Sequence, residues 1–172
     1  PYDTPKNVGM LIEVDKVYFV FQQVLAASGY EIFMNGQKVE SPLDKKASGG
    51  SILIRVDTLF TENGTYTFSV RATGDRPESE MSFAAEYTFK GTLSAPVAKI
   101  ENGVLTVSHE KDVKFLVEIN GVNVADKLDE NKSLALSDVL ENGTTTAKIK
   151  ITAMLDGYKP VSYTHLTLPT IR

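Results

Sequence analysis

The chain has 172 residues, a formal net charge of −4 and an apolar content of 42%, which is the composition of an ordinary globular protein. The charge is spread through both halves, so neither half has the basic surface that nucleic acid or an anionic membrane requires, and no apolar run reaches the length of a membrane span. The sequence contains no cysteine, which excludes disulfides, thiolate metal sites and cysteine nucleophiles.

The first half of the sequence predicts β-strands separated by tight turns. Residues 17–21 form a short apolar run, and Asn35-Gly36 lies between two apolar segments, where residues that tolerate positive φ form tight hairpins. Residues 66–72 alternate between apolar and polar side chains, which predicts a strand with one dry and one wet face. The side chains expected on the dry face are Tyr66, Phe68 and Val70, packed against Tyr30 and Ile32.

The second half of the sequence repeats the first. The aligned pairs, with the first copy given before the second, are residues 17–20 with 104–107, 30–39 with 115–124 and 62–65 with 141–144. The offset shortens along the alignment, as it does when loops shorten while strands persist. Residues 91–96 supply the boundary, so we expect two modules, residues 1–92 and residues 93–160.

Short strands at regular spacing and the lack of a helical period predict an all-β fold of two tandem antiparallel β-sandwich modules. The motifs at residues 27–36, 64–72 and 79–82, followed by Tyr87, resemble a bacterial fibronectin type III repeat. An immunoglobulin-like repeat stays open as the alternative. The chain has no tryptophan, and only the first copy has a tyrosine, Tyr66, at the corner before the sixth strand. Either resemblance implies structural modules of a surface or secreted protein.

Residues 161–172 do not resemble the rest of the chain. Residues 161–170 read Val-Ser-Tyr-Thr-His-Leu-Thr-Leu-Pro-Thr, which resembles the in-frame translation of a transposase sequencing adapter. This resemblance implies that the second module, residues 93–160, is truncated and lacks its last strand, and that His165 has no function. We therefore expect the chain to be a fragment of a longer protein.

Few side chains are candidates for catalysis. Outside residues 161–172 the only histidine is His109, which we expect in a solvated turn, and a catalytic triad or a zinc site requires several converging groups. Glu78, Glu80 and Glu86 could be paired for glycoside hydrolysis, but exposed positions explain these carboxylates better. The sequence therefore predicts no catalytic residue.

A calcium site is the one metal site that the sequence suggests. Asp126, Asp129 and Glu130 have oxygen-rich spacing, but the segment lacks the glycine and the distal glutamate of a calcium loop. Lys127 and Lys132 also interrupt it. A polar loop is favoured, and we predict no metal-binding residue, no cofactor-binding residue and no cofactor.

The first module contains one candidate partner surface. Residues 17–21 are apolar on both faces of a strand, and Phe33 lies on the outer face of its own strand. The aligned positions of the second copy are polar, namely Thr106, Ser108 and Glu118. An apolar strand face is either covered or adhesive. Cover by the preceding segment or a neighbouring module is favoured, and a partner surface at Phe19, Phe21 and Phe33 is the alternative prediction. A sugar platform is disfavoured because tryptophan is absent.

These features predict a non-enzymatic spacer or adhesion region of a multi-module bacterial protein, located outside the cell or on its surface. The expected partners are neighbouring modules of the same chain and a protein or glycan ligand, without nucleic acid. Two alternatives remain, a carbohydrate-binding accessory module of a secreted enzyme and a module of a phage tail or receptor-binding protein. The sequence beyond this segment would separate them.

Overall fold

A computed structural model describes residues 1–167 of the chain. Within that range every regular element is a β-strand or a single 3-10 turn. The chain divides into two compact units, Pro1–Gly91 and a second that begins at Thr92. Each unit is an antiparallel β-sandwich, as the alternation of the sequence predicted.

The first unit contains eight strands. They are β1 (Gly9–Glu13), β2 (Lys16–Gln22), β3 (Gly29–Met34), β4 (Gln37–Lys38), β5 (Lys45–Ser48), β6 (Ser51–Arg55), β7 (Gly64–Thr73) and β8 (Ala85–Phe89). One sheet has the order β1-β2-β6-β5 and the other has the order β4-β3-β7-β8. The second sheet is centred on β7, which pairs with β3 on one side and with β8 on the other.

The core of the first unit lies between these sheets and is aromatic. Phe19 and Phe21 from β2 and Phe68 from β7 are fully buried, and the rings of Phe19 and Phe68 stack at a centroid distance of 5.9 Å. Tyr66 and Val70 belong to the same cluster as Phe68, which confirms the predicted dry face of this strand. Burial of each such side chain stabilises the fold by about 1.5–3 kcal/mol.

The second unit follows β9 (Gly91–Thr92), a two-residue strand at the division. Its strands are β10 (Val97–Glu101), β11 (Val104–Ser108), β12 (Lys114–Ile119), β13 (Val122–Asn123), β14 (Ser133–Ala135), β15 (Thr146–Met154), β16 (Tyr158–Lys159) and β17 (Val161–Thr167). Its two main sheets have the orders β10-β11-β14 and β13-β12-β15-β17. Leu105, Val107, Val117, Ile149 and Ile151 form the centre of its core.

The last strand of the second unit is formed by residues 161–167, which follow the residues 93–160 predicted for the truncated module. β17 pairs antiparallel with β15, from Val161 opposite Ala153 to Thr167 opposite Thr146. An open strand edge accepts an extended chain through backbone hydrogen bonds, and the alternating sequence of residues 161–167 suits that position. The remainder of the segment predicted to be adapter-derived, residues 168–172, lies outside the described residues.

The predicted Asn-Gly hairpins are present in both units. Asn35 and Asn120 have φ values of 52° and 51°, and the side-chain Oδ1 of each accepts a hydrogen bond from a neighbouring strand. The donors are the backbone N–H groups of Thr67 and Lys148, both at 2.9 Å. The backbone N–H of each asparagine donates in return to the carbonyl of the same residue. Each asparagine therefore extends a strand ladder by one pair.

The corner before the long central strand is closed differently in the two units. The Tyr66 hydroxyl donates to the Glu62 carbonyl at 2.7 Å, as expected of a corner tyrosine. In the second unit the Thr144 hydroxyl donates to the carbonyl of Glu141, the residue aligned with Glu62, at 2.5 Å. The same backbone acceptor is therefore satisfied by two different side chains.

Candidate interaction surfaces

Two of the three residues predicted to form a partner surface lie in the core. Phe19 and Phe21 are 0% exposed, because the period of two along β2 turns them inward together with Val17. This corrects their assignment to a surface. The error came from the alignment of residues 17–20 with 104–107, since the buried residue equivalent to Phe19 in the second unit is Val107 and not Thr106. A slip of one residue exchanges the two faces of a strand.

The outer face of β2 is nevertheless apolar, through Tyr18 and Val20. Leu53 of β6 lies opposite Val20, and Leu11 of β1 lies opposite Tyr18. Tyr18 is 6% exposed and Leu53 is 5% exposed, although both lie on the outside of the sandwich. Strand β2 is therefore apolar on both faces, as the sequence indicated, and the side chains of its outer face are largely shielded from solvent.

A lysine–glutamate pair supplies part of that cover. The Lys46 ammonium lies over the Tyr18 ring, 4.7 Å from its centroid, and pairs with Glu13 at 3.2 Å. Glu13 belongs to β1, so the preceding segment contributes to the cover, which is the reading that the sequence favoured. At the matching place in the second unit the Thr106 and Ser133 hydroxyls bond each other at 2.7 Å, so that face is polar.

Phe33, the third predicted residue, lies on the outer face of the other sheet and is half-buried. The Arg71 guanidinium lies over its ring at 5.5 Å. Arg71 is bonded to Glu31, and its Nη1 lies 2.8 Å from Glu78 Oε2. Lys38 pairs with the other oxygen of Glu31 at 3.0 Å. This face thus carries a row of side chains of alternating charge, and the phenyl ring of Phe33 packs against the Arg71 guanidinium of that row.

This row of charges affects how Glu31 titrates. Hydrogen bonds from Lys38 and then from Arg71 lower the pKa of the Glu31 carboxylate below its usual value of 4.5. The same bonds raise the pKa of the Lys38 ammonium and of the Arg71 guanidinium. At neutral pH these four side chains neutralise one another.

The most exposed apolar side chains escaped the sequence-based prediction. Phe83 is 91% exposed and Leu25 is 88% exposed. Phe83 and Met81 line a groove of about 520 Å³ whose opposite wall is formed by residues 4–7; we call it the Phe83 groove. The signal in the sequence was the three-residue spacing of Ser79, Ser82 and Ala85, which does not fit the period of two of a regular strand.

His109 lies in a hydrogen-bonded turn of the second unit. Its Nδ1 accepts from the Lys111 backbone N–H at 3.0 Å, so its Nε2 carries the proton that is donated to the Ser94 carbonyl at 2.9 Å. The Ser94 hydroxyl donates to Glu110 at 2.8 Å. Activation of a serine requires the imidazole to accept the hydroxyl proton. Here the imidazole Nε2 is itself a donor, and the Ser94 hydroxyl donates its proton to Glu110. These residues hold the turn and do not form a catalytic dyad.

The carboxylate of Asp129 stabilises the predicted polar loop through hydrogen bonds to the backbone. Asp129 Oδ1 accepts from the backbone N–H groups of Asn131 and Ser133, at 2.8 and 3.0 Å.

Within residues 1–167, no three His, Cys, Asp or Glu side chains come together in a group that could hold a metal ion. None of the described elements is a helix with the length and apolar character that a membrane crossing demands.

Comparison with known proteins gives similarity to solved structures only. No protein-family model and no curated protein sequence matches the chain. The FN1-FN3 domains of chicken CNTN1 match 95% of this chain at 15% identity and a TM-score of 0.37. A tandem from titin matches 94% at 14% identity and a TM-score of 0.34, and the tandem Ig repeats of Dlar match 95% at 12% identity with the same score. The chain spans 65% of the length of the CNTN1 structure and 63% of that of the titin structure.

Proposed function

We propose that the chain is a non-enzymatic spacer and adhesion region of a multi-module bacterial protein, acting outside the cell or on its surface. The observation that carries the proposal is the connection between β8, which ends at Phe89, and β10, which begins at Val97. Leu93, in this connection, is buried, and its N–H donates to the Lys159 carbonyl at 2.9 Å. A short connection that is bound to the following sandwich has little freedom to bend, which is what a spacer requires.

The bonds of His109 and Ser94 strengthen this argument. They attach a second residue of the same connection to the turn between β11 and β12. Any hinge between the two units would then lie in the residues between Phe89 and Leu93. The proposal therefore expects the two units to move together in solution, although they share no function beyond holding a distance.

The test is a comparison of rotational diffusion in the two units. Backbone ¹⁵N relaxation of the full chain should give both units the same rotational correlation time. The variant Leu93→Gly removes the buried side chain of the connection and should let the units tumble separately. Ala95→Gly, at an exposed position of the same connection, is the matched control and should leave the tumbling unchanged. Independent tumbling of the unmodified chain would refute the spacer proposal.

The adhesive part of the proposal concerns the first unit. Phe33 and the Phe83 groove present aromatic rings there, whereas Glu118 takes the position aligned with Phe33 in the second unit. A protein partner fits this surface best, because phenylalanine buries a large apolar area and has no polar group with which to orient a sugar.

A carbohydrate-binding accessory module is the alternative favoured by the exposed Phe83 ring. Calorimetry of the chain against a panel of soluble oligosaccharides should show no saturable heat. Saturable binding that disappears in Phe83→Ser, and persists in Thr88→Ser on the exposed face of β8, would replace the spacer proposal with this alternative.

A further inference from the structure

Five asparagines of the chain are each followed by glycine, and their surroundings differ. They are Asn35, Asn63, Asn102, Asn120 and Asn142. This dipeptide is chemically labile because glycine has no side chain to shield its backbone nitrogen. The five sites therefore form an internal series in which sequence is nearly constant and structure varies.

The reaction is an intramolecular acyl transfer followed by hydrolysis. The glycine backbone nitrogen attacks Cγ of the asparagine, a new N–Cγ bond forms, and the Cγ–Nδ2 bond breaks. Ammonia leaves with the proton lost by the glycine nitrogen, and a five-membered succinimide remains. Water then opens the ring at either carbonyl, giving aspartate or isoaspartate. The step needs free rotation of the asparagine side chain and of the adjoining peptide.

Asn35 and Asn120 are held against this reaction by two constraints each. Their Oδ1 atoms accept bonds at 2.9 Å from strands β7 and β15, which fix the side chains away from the glycine nitrogen. Their backbones lie in the left-handed region required by a two-residue hairpin. To react, each must give up a hydrogen bond and leave its turn.

Two sites are held by one constraint each. Asn102 lies in the β10–β11 hairpin with a φ of 51°, and its side chain makes no hydrogen bond among the described residues. Asn63 lies outside a two-residue hairpin, and its Nδ2 donates to the Lys90 carbonyl at 3.3 Å. Their reactivity should therefore fall between the two extremes.

Asn142 has neither constraint. It is exposed, it lies outside the left-handed region, and its side chain has no hydrogen-bond partner among residues 1–167. The turn around it is closed by two bonds from Thr144 to the Glu141 carbonyl, one from the backbone N–H at 3.2 Å and one from the hydroxyl at 2.5 Å, and neither involves the Asn142 side chain.

We propose that Asn142 is the principal site of spontaneous deamidation in this chain, and that Asn35 and Asn120 are protected by the bonds that make them part of the strand ladders. Modification at Asn142 adds a negative charge beside Glu141 and, as isoaspartate, lengthens the backbone in a loop that precedes β15. The same change at Asn35 or Asn120 would disrupt a hairpin. The reactive site is thus one at which the fold tolerates the product.

The experiment is peptide mapping by mass spectrometry during incubation of the full chain at mildly alkaline pH. The products are aspartate and isoaspartate at each of the five sites. Loss of one net hydrogen bond corresponds to roughly tenfold in rate, so we expect Asn35 and Asn120 to react at least about tenfold more slowly than Asn142. The same incubation in denaturant removes the structure and should bring the five rates close together.

Asn142→Gln provides the matched variant, because it keeps the amide and lengthens the side chain beyond the five-membered ring. It should abolish most of the deamidation of the folded chain and leave the melting temperature unchanged. Rates at Asn35 or Asn120 equal to that at Asn142 in the folded chain would overturn the proposal. So would a rate order that is the same in denaturant as in the folded state.

Discussion

Val14 has a φ of 51° in the turn between β1 and β2, a conformation that β-branched residues rarely adopt because their side chains meet the backbone. The corresponding turn of the second unit, between β10 and β11, has Asn102 with the same φ. Asparagine tolerates this region. The two copies therefore place an unsuitable and a suitable residue in equivalent hairpins.

Exchange of these two residues should have opposite effects on the two units. Val14→Asn should raise the free energy of unfolding of the first unit by about 1 kcal/mol, and Asn102→Val should lower that of the second by a similar amount. Urea unfolding of each variant, with the two units followed separately by NMR, provides the measurement. A loss of stability in Val14→Asn would mean that contacts of the valine side chain outweigh the strain of its backbone.

Glu31 gives the first unit a defined dependence on pH. Its pKa is lowered in the folded state by Lys38 and Arg71, so the folded unit binds this proton less readily than the unfolded chain does. The contribution of the ion pairs is therefore complete above the usual carboxylate pKa of 4.5. It is lost as the pH falls through the lower, folded value.

We expect the stability of the first unit to decline below pH 4.5, and Glu31→Gln to reduce the steepness of that decline. Thermal unfolding across an acidic pH series measures this. Glu86→Gln on β8 is the control, because Glu86 is exposed and makes no ion pair among the described residues. Equal flattening of the pH profile in both variants would show that net charge, rather than the Lys38–Glu31–Arg71 contacts, sets the acid sensitivity.

At the scale of elements, the edge of β7 is completed by a segment that is not a regular strand. The Ser79 hydroxyl accepts from Ala72 N–H at 2.8 Å, and the Ser82 hydroxyl accepts from Val70 N–H at 3.0 Å. The backbone N–H groups of the two serines donate back to the carbonyls of the same residues. Successive contacts are three residues apart on this segment and two apart on β7, so Met81 is turned outward.

Removal of either hydroxyl should leave a buried N–H of β7 without its partner. We expect Ser79→Ala and Ser82→Ala each to destabilise the first unit by about 1–3 kcal/mol. Ser69→Ala, on the outer face of β7 itself, should change stability by less than about 0.5 kcal/mol. Chemical denaturation, together with hydrogen exchange at Val70 and Ala72, measures both effects. Unchanged exchange in Ser82→Ala would indicate that water replaces the hydroxyl.

The sequence predicted those elements whose pattern shows which side chains face inward or where the chain turns. Alternation along β7 identified Phe68 as a core residue, and Asn35-Gly36 and Asn120-Gly121 located two hairpins, whereas Asn63-Gly64 and Asn142-Gly143 lie outside two-residue hairpins. The apolar run in β2 does not alternate, because both of its faces are apolar. Its inward-facing residues could therefore not be distinguished from its outward-facing residues by sequence alone. Lys46 covers Tyr18 from a strand distant in sequence, and only the tertiary structure reveals such a contact.

At the scale of the whole molecule, the two units differ in how their last strands are held. In the first unit, β8 supplies Ala85 and Tyr87 to the buried core. In the second unit, none of the described side chains of β17 belongs to the core cluster, although β17 pairs along most of β15. His165 lies opposite Ile149, an inward-facing position where a buried strand would present an apolar residue. The described side chains of β17, residues 161–165, thus contribute to the ladder and not to the core cluster.

This difference makes the origin of residues 161–172 testable. If the segment is translated adapter sequence, β17 is held by its backbone, and the order of its side chains should matter little. A permuted sequence of residues 161–167 that keeps the alternation should change the stability of the second unit by less than about 0.5 kcal/mol. A glycine–serine sequence of the same length should lower it by at least about 2 kcal/mol, because it gives up several ladder hydrogen bonds. Urea unfolding followed by NMR of the second unit measures both. If the permuted strand is as unstable as the glycine–serine strand, side-chain fit holds β17, and the segment is a native strand of the sandwich.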